Sequence, residues 1–366
     1  MERFNHGRHM RHALGLAARA LGQSAPNPAV GCILVAASGV VVGRGWTGRG
    51  GRPHAEAVAL AQAGEAARGA TVYVTLEPCA HHGQTPPCAD ALINAGVACV
   101  VAAATDPDPR VSGGGLERLR RAGVEVVTDV LGEDAAELNA GFFLRIREER
   151  PLVTLKIAAS ADGRTAGASG DSRWITGEEA RRFGHLLRAR NEAILIGVDT
   201  AIADDPLLTC RIAGLERPSP LRVVLDSRLR LGPGSKLART AREIPTLIFT
   251  VCPNERSELR ACGIDILTVG RDARGRPDVG SVLRALATRG VNCLLVEGGA
   301  SVHASFLDRG LADRLEVFRA PVVLGAAGHA AIDALAAFSL DEAPRFLSTG
   351  VRRLGPDLLE SFRLTH

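Results

Sequence analysis

Met10, Ala13, Leu14, Ala17 and Leu21 recur at helical spacing, so the chain opens on an amphipathic helix over residues 10–21. A hairpin follows, with strands at 30–36 and 40–45 around Ser38-Gly39. The pattern then predicts a helix over 55–63, a strand over 71–76, and helices beginning at Cys79 and Cys88, the second ending at Ala95. A buried strand at 98–104, a helix at 116–122, a strand at 124–127 and a helix at 134–148 complete this run. The charged segment 145–151 ends in Pro151 and marks a junction, giving domains 1–148 and 149–366. Alternation restarts with a strand at 152–158, a helix at 178–189 and strands at 193–198, 222–226 and 245–251. A helix at 278–289, a strand at 292–296, a helix at 302–309 and two short strands within 347–364 follow. Strands alternating with helices in both halves imply two α/β domains.

Chemistry first enters between residues 54 and 88. His54-Ala55-Glu56 opens a helix; the strand at 71–76 runs into Glu77-Pro78-Cys79, and Pro86-Pro87-Cys88 comes next. Taken singly, these are a helix-start histidine and packed cysteines. Together they are one imidazole and two thiolates, a set that suits Zn²⁺ and leaves its fourth position for water. His81 and His82 are the candidates for a closed, structural fourth ligand. Glu56, two residues from the histidine, is placed to move protons without binding the ion, as in the zinc deaminases, whose metal-bound water titrates near ~7.

Two further positions stand out. Lys156 shares a strand face with Thr154 and Ala158, opposite Val153, Leu155 and Ile157, so it points to a helix layer or a pocket unless it snorkels at an edge. Glu297-Gly298-Gly299-Ala300-Ser301 joins a strand to a helix, where glycines let backbone amides approach a phosphate, although a plain βα turn has the same look.

Composition narrows the partners. With 46% hydrophobic and 23% charged residues the chain has the makings of large cores, and a net charge of +4 makes no case for nucleic acid. No apolar run of membrane length and no signal-peptide pattern occurs, so a cytoplasmic protein without a membrane partner is expected. Its eight cysteines then serve as ligands or core, with Cys32, Cys99 and Cys293 inside apolar runs. Of 44 basic residues only Lys156 and Lys236 are lysines, which singles out the one inside a strand.

The chain resembles the bifunctional riboflavin-biosynthesis deaminase/reductase family (RibD/RibG) over nearly its whole length. The resemblance is carried by Pro26-Asn27-Pro28, His54-Ala55-Glu56, Glu77-Pro78-Cys79, Thr85-Pro86-Pro87-Cys88, Asp106-Pro107, Leu155-Lys156, Trp174-Ile175-Thr176, Asp204-Asp205-Pro206, Asp226-Ser227 and Glu297-Gly298-Gly299. The eight residues between Cys79 and Cys88 distinguish it from cytidine and tRNA-adenosine deaminases, which usually have two.

The resemblance implies a cytidine-deaminase-like α/β/α sandwich followed by a dihydrofolate-reductase-like α/β domain. One Zn²⁺ on His54, Cys79 and Cys88, with Glu56 as proton shuttle, would deaminate a 2,5-diamino-6-(phosphoribosylamino)pyrimidinone. NADPH would then reduce the ribosyl group, with Lys156 and Glu297 managing protons. Asn27, His81 and Asp106 match substrate contacts of the first site, and Ser172, Arg188, Leu208, Arg211 and Glu297 those of the second. Ala158, Trp174, Thr200, Asp204, Ser227 and the run Gly299, Ala300, Ser301, Val302, His303, Ala304 and Ser305 match the cofactor side. Two departures are Gln84, where relatives carry a basic residue, and Asp199, where glycine is common. A homo-oligomer, dimer or tetramer, is also expected.

Overall fold

The computed structural model describes residues 6–81, 86–108, 112–171, 174–215, 219–253, 256–336 and 339–365. They fall into two compact units, Met1–Glu149 and Arg150–His366.

In the first unit the order is α1 (His6–Ala17), β1 (Gly31–Val35), β2 (Val41–Trp46), α2 (Ala55–Ala63), β3 (Thr71–Leu76), α3 (Cys88–Asn94), β4 (Cys99–Ala104), α4 (Gly114–Arg121), β5 (Glu125–Val127), α5 (Gly132–Leu138) and α6 (Ala140–Glu148). The sheet order is β2-β1-β3-β4-β5, with β1 antiparallel to both neighbours and β3, β4 and β5 parallel. Strands β3 and β4 are apolar on both faces because helices cover both. Met10, Ala13 and Leu16 of α1 and Ala135 of α5 pack with Ile33, Tyr73 and Val101 on one face. Helices α2, α3 and α4 pack with Leu34, Val74 and Ala102 on the other, completing an α/β/α sandwich.

Two expectations fail here. No helix begins at Cys79: residues 77–80 are irregular, because the Glu77 side chain is committed to α4. The single helix expected over 134–148 is two helices, broken at Asn139. The Asn139 side-chain amide brackets Ala29 at this break, accepting from the Ala29 N–H at 2.8 Å and donating to its carbonyl at 2.9 Å.

The second unit contains β6 (Leu152–Ser160), β7 (Arg164–Ala166), α7 (Glu178–Arg190), β8 (Ala193–Gly197), α8 (Val198–Asp204), β9 (Leu221–Leu225), α9 (Lys236–Arg239), β10 (Thr246–Thr250), α10 (Ser257–Ala261), β11 (Asp265–Thr268), α11 (Val279–Thr288), β12 (Cys293–Gly298), α12 (Ala300–Asp308), β13 (Arg314–Ala320), β14 (His329–Ala330), β15 (Phe346–Leu354) and β16 (Asp357–Leu364). Nine strands form one sheet in the order β11-β10-β9-β8-β12-β6-β13-β16-β15. The first seven are mutually parallel, and the β15–β16 hairpin joins antiparallel to β13. Helices α7, α8, α9 and α10 pack on one face, α11 and α12 on the other. Strands β11 and β13 and the short helix α8 were not expected from the pattern. Charged Arg314, Glu316 and Arg319 interrupt the apolar signal of β13, although it pairs with β6 along seven residues.

Candidate active sites

The first site is assembled where α2, α3 and the segment after β3 meet. His54 is the extended residue capping α2, and Cys88 is the first residue of α3. Gly45 lets α2 lie this close to β2, since a Cβ there would collide with the Ala55 carbonyl. Cys79 is held by the segment before it. The Glu77 carboxylate accepts N–H bonds from Gly113 and Gly115 at 2.9 Å, Leu116 at 3.3 Å and Asp106 at 3.4 Å. It thus satisfies the otherwise unpaired amides at the start of α4, where negative charge is favoured. Gly115 is required here, because any Cβ would strike the Pro78 carbonyl. The anchoring role of Glu77 was not read from sequence; its one sign was a carboxylate directly before the Pro-Cys pair.

His54 Nδ1 lies 3.2 Å from Cys88 Sγ and 3.7 Å from Cys79 Sγ, and all three donor atoms fall within 4.8 Å of one another. This is the one such cluster of three among the described residues. The Cys79 thiol is lowered to about 4, chiefly by the hydrogen bond it shares with Cys88, and Cys88 is raised for the same reason. The pair shares a proton that a cation displaces on binding. One imidazole and two thiolates with no fourth protein donor among the described residues fit a catalytic zinc rather than a closed structural one. His81 is exposed and outside the cluster, and His82 lies outside the described residues.

Glu56, on the first turn of α2, is 4% exposed, and burial raises its carboxyl to about 7. It lines the same cavity of about 290 Å³ as His54 and Cys79. Asn27, His81 and Asp106 line that cavity too, so the first site's expected contacts converge. Burial raises Asp106 to about 6, although it accepts an N–H from Asp108 at 2.9 Å. Gln84 lies outside the described residues.

The second unit has two cavities near the carboxyl ends of its parallel strands. One, of about 300 Å³, is lined by Lys156, Ala158, Trp174, Arg188, Asp204, Arg211 and Glu297. Glu297 ends β12 with its side chain held by Arg188 in two parallel bonds, Nε at 2.6 Å and Nη2 at 2.8 Å. Despite burial, Arg188 and then Lys156 keep Glu297 at about 2, a permanent carboxylate. Burial lowers the Lys156 ammonium, opposed by Glu297. Its Nζ sits 5.6 Å from the Phe318 ring centroid and has no ion-pair partner among the described residues. Unlike Arg188, Arg211 is exposed and donates to His185, while Arg181 stacks on Trp174. His185 and Arg181 line this cavity and were not singled out from sequence.

The other cavity, of about 440 Å³, is lined by Ser227, Ser301, Val302 and Ser305. The expected cofactor residues therefore divide between two cavities. Gly299 bears on the Thr200 hydroxyl, 3.2 Å from where a Cβ would stand. Three expected contacts have their side chains elsewhere. Leu208 and Ala304 are buried in the cores, and the buried His303 donates from Nδ1 to the Ala331 carbonyl at 3.0 Å. Ala300 meets neither cavity through its side chain, but its carbonyl accepts from Asp333 N–H at 3.2 Å. Ser172 lies outside the described residues.

A His-Cys-Cys cluster with a buried glutamate, followed by a parallel-sheet unit with a lysine–carboxylate cavity, defines a zinc deaminase joined to a reductase. Residues 4–104 match the cytidine and deoxycytidylate deaminase zinc-binding region, and residues 151–359 match the RibD C-terminal domain. Riboflavin biosynthesis protein RibD of Aquifex aeolicus is 43% identical over 97% of this chain and 97% of its own, and that of Escherichia coli 41% over 96% and 97%. The RibD structure from Acinetobacter baumannii superposes with a TM-score of 0.89 at 38% identity, covering 99% of both chains. A diaminohydroxyphosphoribosylaminopyrimidine deaminase/5-amino-6-(5-phosphoribosylamino)uracil reductase from Thermotoga maritima gives 0.87 at 33% identity, covering 98% of this chain and 99% of that one. The chain belongs to the RibD family of bifunctional deaminase/reductases of riboflavin biosynthesis. No helix among the described residues is long and apolar enough to cross a membrane.

Proposed function

We propose that the two units act as separate domains on one pyrimidine in sequence. The first would hydrolyse the 2-amino group of 2,5-diamino-6-(5-phosphoribosylamino)pyrimidin-4-one, and the second would reduce the ribosyl chain of the resulting uracil to ribityl. The observation that carries the reading is the convergence of His54, Cys79 and Cys88 within 4.8 Å, beside a cavity lined by His54, Cys79 and buried Glu56.

His54, Cys79 and Cys88 would hold the zinc, which when bound would supply an activated water as nucleophile. Glu56 would take one proton from the attacking water and pass it to the ring nitrogen, then take the second from the new hydroxyl and pass it to the amine, which leaves as ammonia; a carboxyl poised at about 7 can do both near neutral pH. Asn27, His81 and Asp106 hold the pyrimidine and its substituents in the same cavity.

NADPH, when bound in the second unit, would supply the hydride. Lys156 hands a proton to the nitrogen side of the ring-opened imine, and Glu297, fixed by Arg188, holds the positive charge in place. With Arg188 occupied by Glu297, Arg211 at the exposed edge is the better partner for the substrate phosphate. Work on a small metabolite by a homo-oligomer in the cytoplasm, with neither nucleic acid nor membrane as partner, accords with the modest net charge of +4.

The test supplies the diaminopyrimidinone phosphate with and without NADPH and follows ammonia and nicotinamide absorbance separately. Ammonia should appear in both reactions, and NADPH should be consumed only after it. NADPH oxidation without ammonia release would refute the order.

A further inference from the structure

The cavity of the first unit carries charges that the hydrolytic chemistry does not use. Four carboxylates line it, from Glu56, Glu77, Asp106 and Asp108. Against them stand two guanidinium groups, Arg52 and Arg145, with no lysine or further arginine among the described lining residues. A phosphate monoester brings roughly two more negative charges at neutral pH. Such a substrate is repelled by this lining unless its phosphate meets the two arginines.

Both arginines are set in one hydrogen-bonded rim. Loop 47–53 closes on itself through Gly48 N–H and the Pro53 carbonyl at 2.8 Å, and on the segment before β1 through Gly50 N–H and the Gln23 carbonyl at 2.8 Å. Asn27 adds a bond from Nδ2 to the Gly51 carbonyl at 3.3 Å. Two glycines allow this fit: a Cβ on Gly48 would strike the Arg52 carbonyl, and one on Gly51 would strike the Asn27 side chain. From the other side Arg145, on α6, donates from Nη2 to the Pro26 carbonyl at 2.6 Å and lies 5.6 Å from the Phe142 ring centroid. Arg52 and Arg145 therefore flank the Pro26-Asn27 segment. Both are partly exposed whereas Glu56 is buried, so the cations belong to the mouth of the cavity and the proton-carrying group to its floor. The 5′-phosphate is the part of the diaminopyrimidinone substrate remotest from its 2-amino group. A guanidinium presents five N–H donors in a planar fork, so each arginine can meet phosphate oxygens while keeping its protein contacts.

We propose that Arg52 and Arg145 form the 5′-phosphate subsite of the deaminase cavity and make this site select a nucleotide over the corresponding nucleoside. This rests on the deaminase reading above.

The zinc-loaded, full-length enzyme is assayed for ammonia release as wild type, Arg52→Gln, Arg145→Gln and the double variant. The substrates are the diaminopyrimidinone 5′-phosphate and its 5′-hydroxyl analogue. Each single substitution should raise KM for the phosphate about 10- to 100-fold with kcat retained, the effect of losing one charge-assisted contact. For the 5′-hydroxyl analogue, kcat/KM should be the same in all four proteins. Ribose 5-phosphate should compete with the substrate in the wild type, ribose should not, and the double variant should be insensitive to both. The wild-type competition stands whether or not a variant folds, and zinc content with NADPH oxidation of the deaminated product reports on folding. Equal rises for both substrates, no rise for either, or a wild type indifferent to ribose 5-phosphate would overturn the assignment. A wild type that releases ammonia from neither compound would instead overturn the deaminase reading itself.

Discussion

Arg188 and Glu297 are joined by two parallel hydrogen bonds of 2.6 and 2.8 Å, with both side chains at least four-fifths buried. The arginine comes from α7 and the carboxylate from the end of β12, so the pair ties a helix to the strand that carries the site. Removing one partner leaves the other buried and uncompensated. Arg188→Ala should therefore destabilise the second unit by about 3–5 kcal/mol, measurable by denaturant unfolding.

The same pair sets an acid limit. Glu297 titrates at about 2 when folded against an ordinary value of 4.5, so its contribution is complete above about pH 4.5 and is lost as pH falls through 2. The stability of Glu297→Gln in the second unit should be flatter than that of the wild type between those values. Identical pH profiles for the two proteins would contradict the assignment.

Glu77 should matter without touching substrate. Its carboxylate collects four backbone N–H groups, and Glu77→Gln replaces one accepting oxygen with a donor facing them. The expected loss is about 1–3 kcal/mol of stability in the first unit, accompanied by faster zinc loss to a chelator as Cys79 becomes less well held. Unchanged metal retention would show that the cysteine segment is positioned by something else.

Lys156→Ala should reduce NADPH oxidation about 10²- to 10⁴-fold and leave ammonia release intact, because the lysine lines a cavity within the second unit alone. Loss of both activities together would argue against independent sites.

The site chemistry was legible where residue type and spacing both constrain it. The helix at 55–63 and the strand at 71–76 appear at the predicted bounds, since one is alanine-rich and the other an unbroken run of strand-forming residues. The three donors meet because His54 and Cys88 both stand at helix starts around the end of β3. What escaped depends on tertiary partners. Nothing in the local sequence shows that Asn139 will break a helix to reach Ala29, or that Glu77 will fold back on α4. Strand β13 was hidden because a position between two paired strands tolerates the charged side chains that erase an apolar signature. Arg188 was read as a substrate contact, and nothing near it in the chain shows its bond to Glu297, 109 residues away.

The most direct test is Glu56→Gln, assayed for bound zinc and for each reaction separately. His54, Cys79 and Cys88 stay intact, so the variant should retain one zinc per chain, release no ammonia from the diaminopyrimidinone, and still oxidise NADPH when given the deaminated product. Ammonia release at the wild-type rate with zinc in place would remove Glu56 from the chemistry and contradict the account.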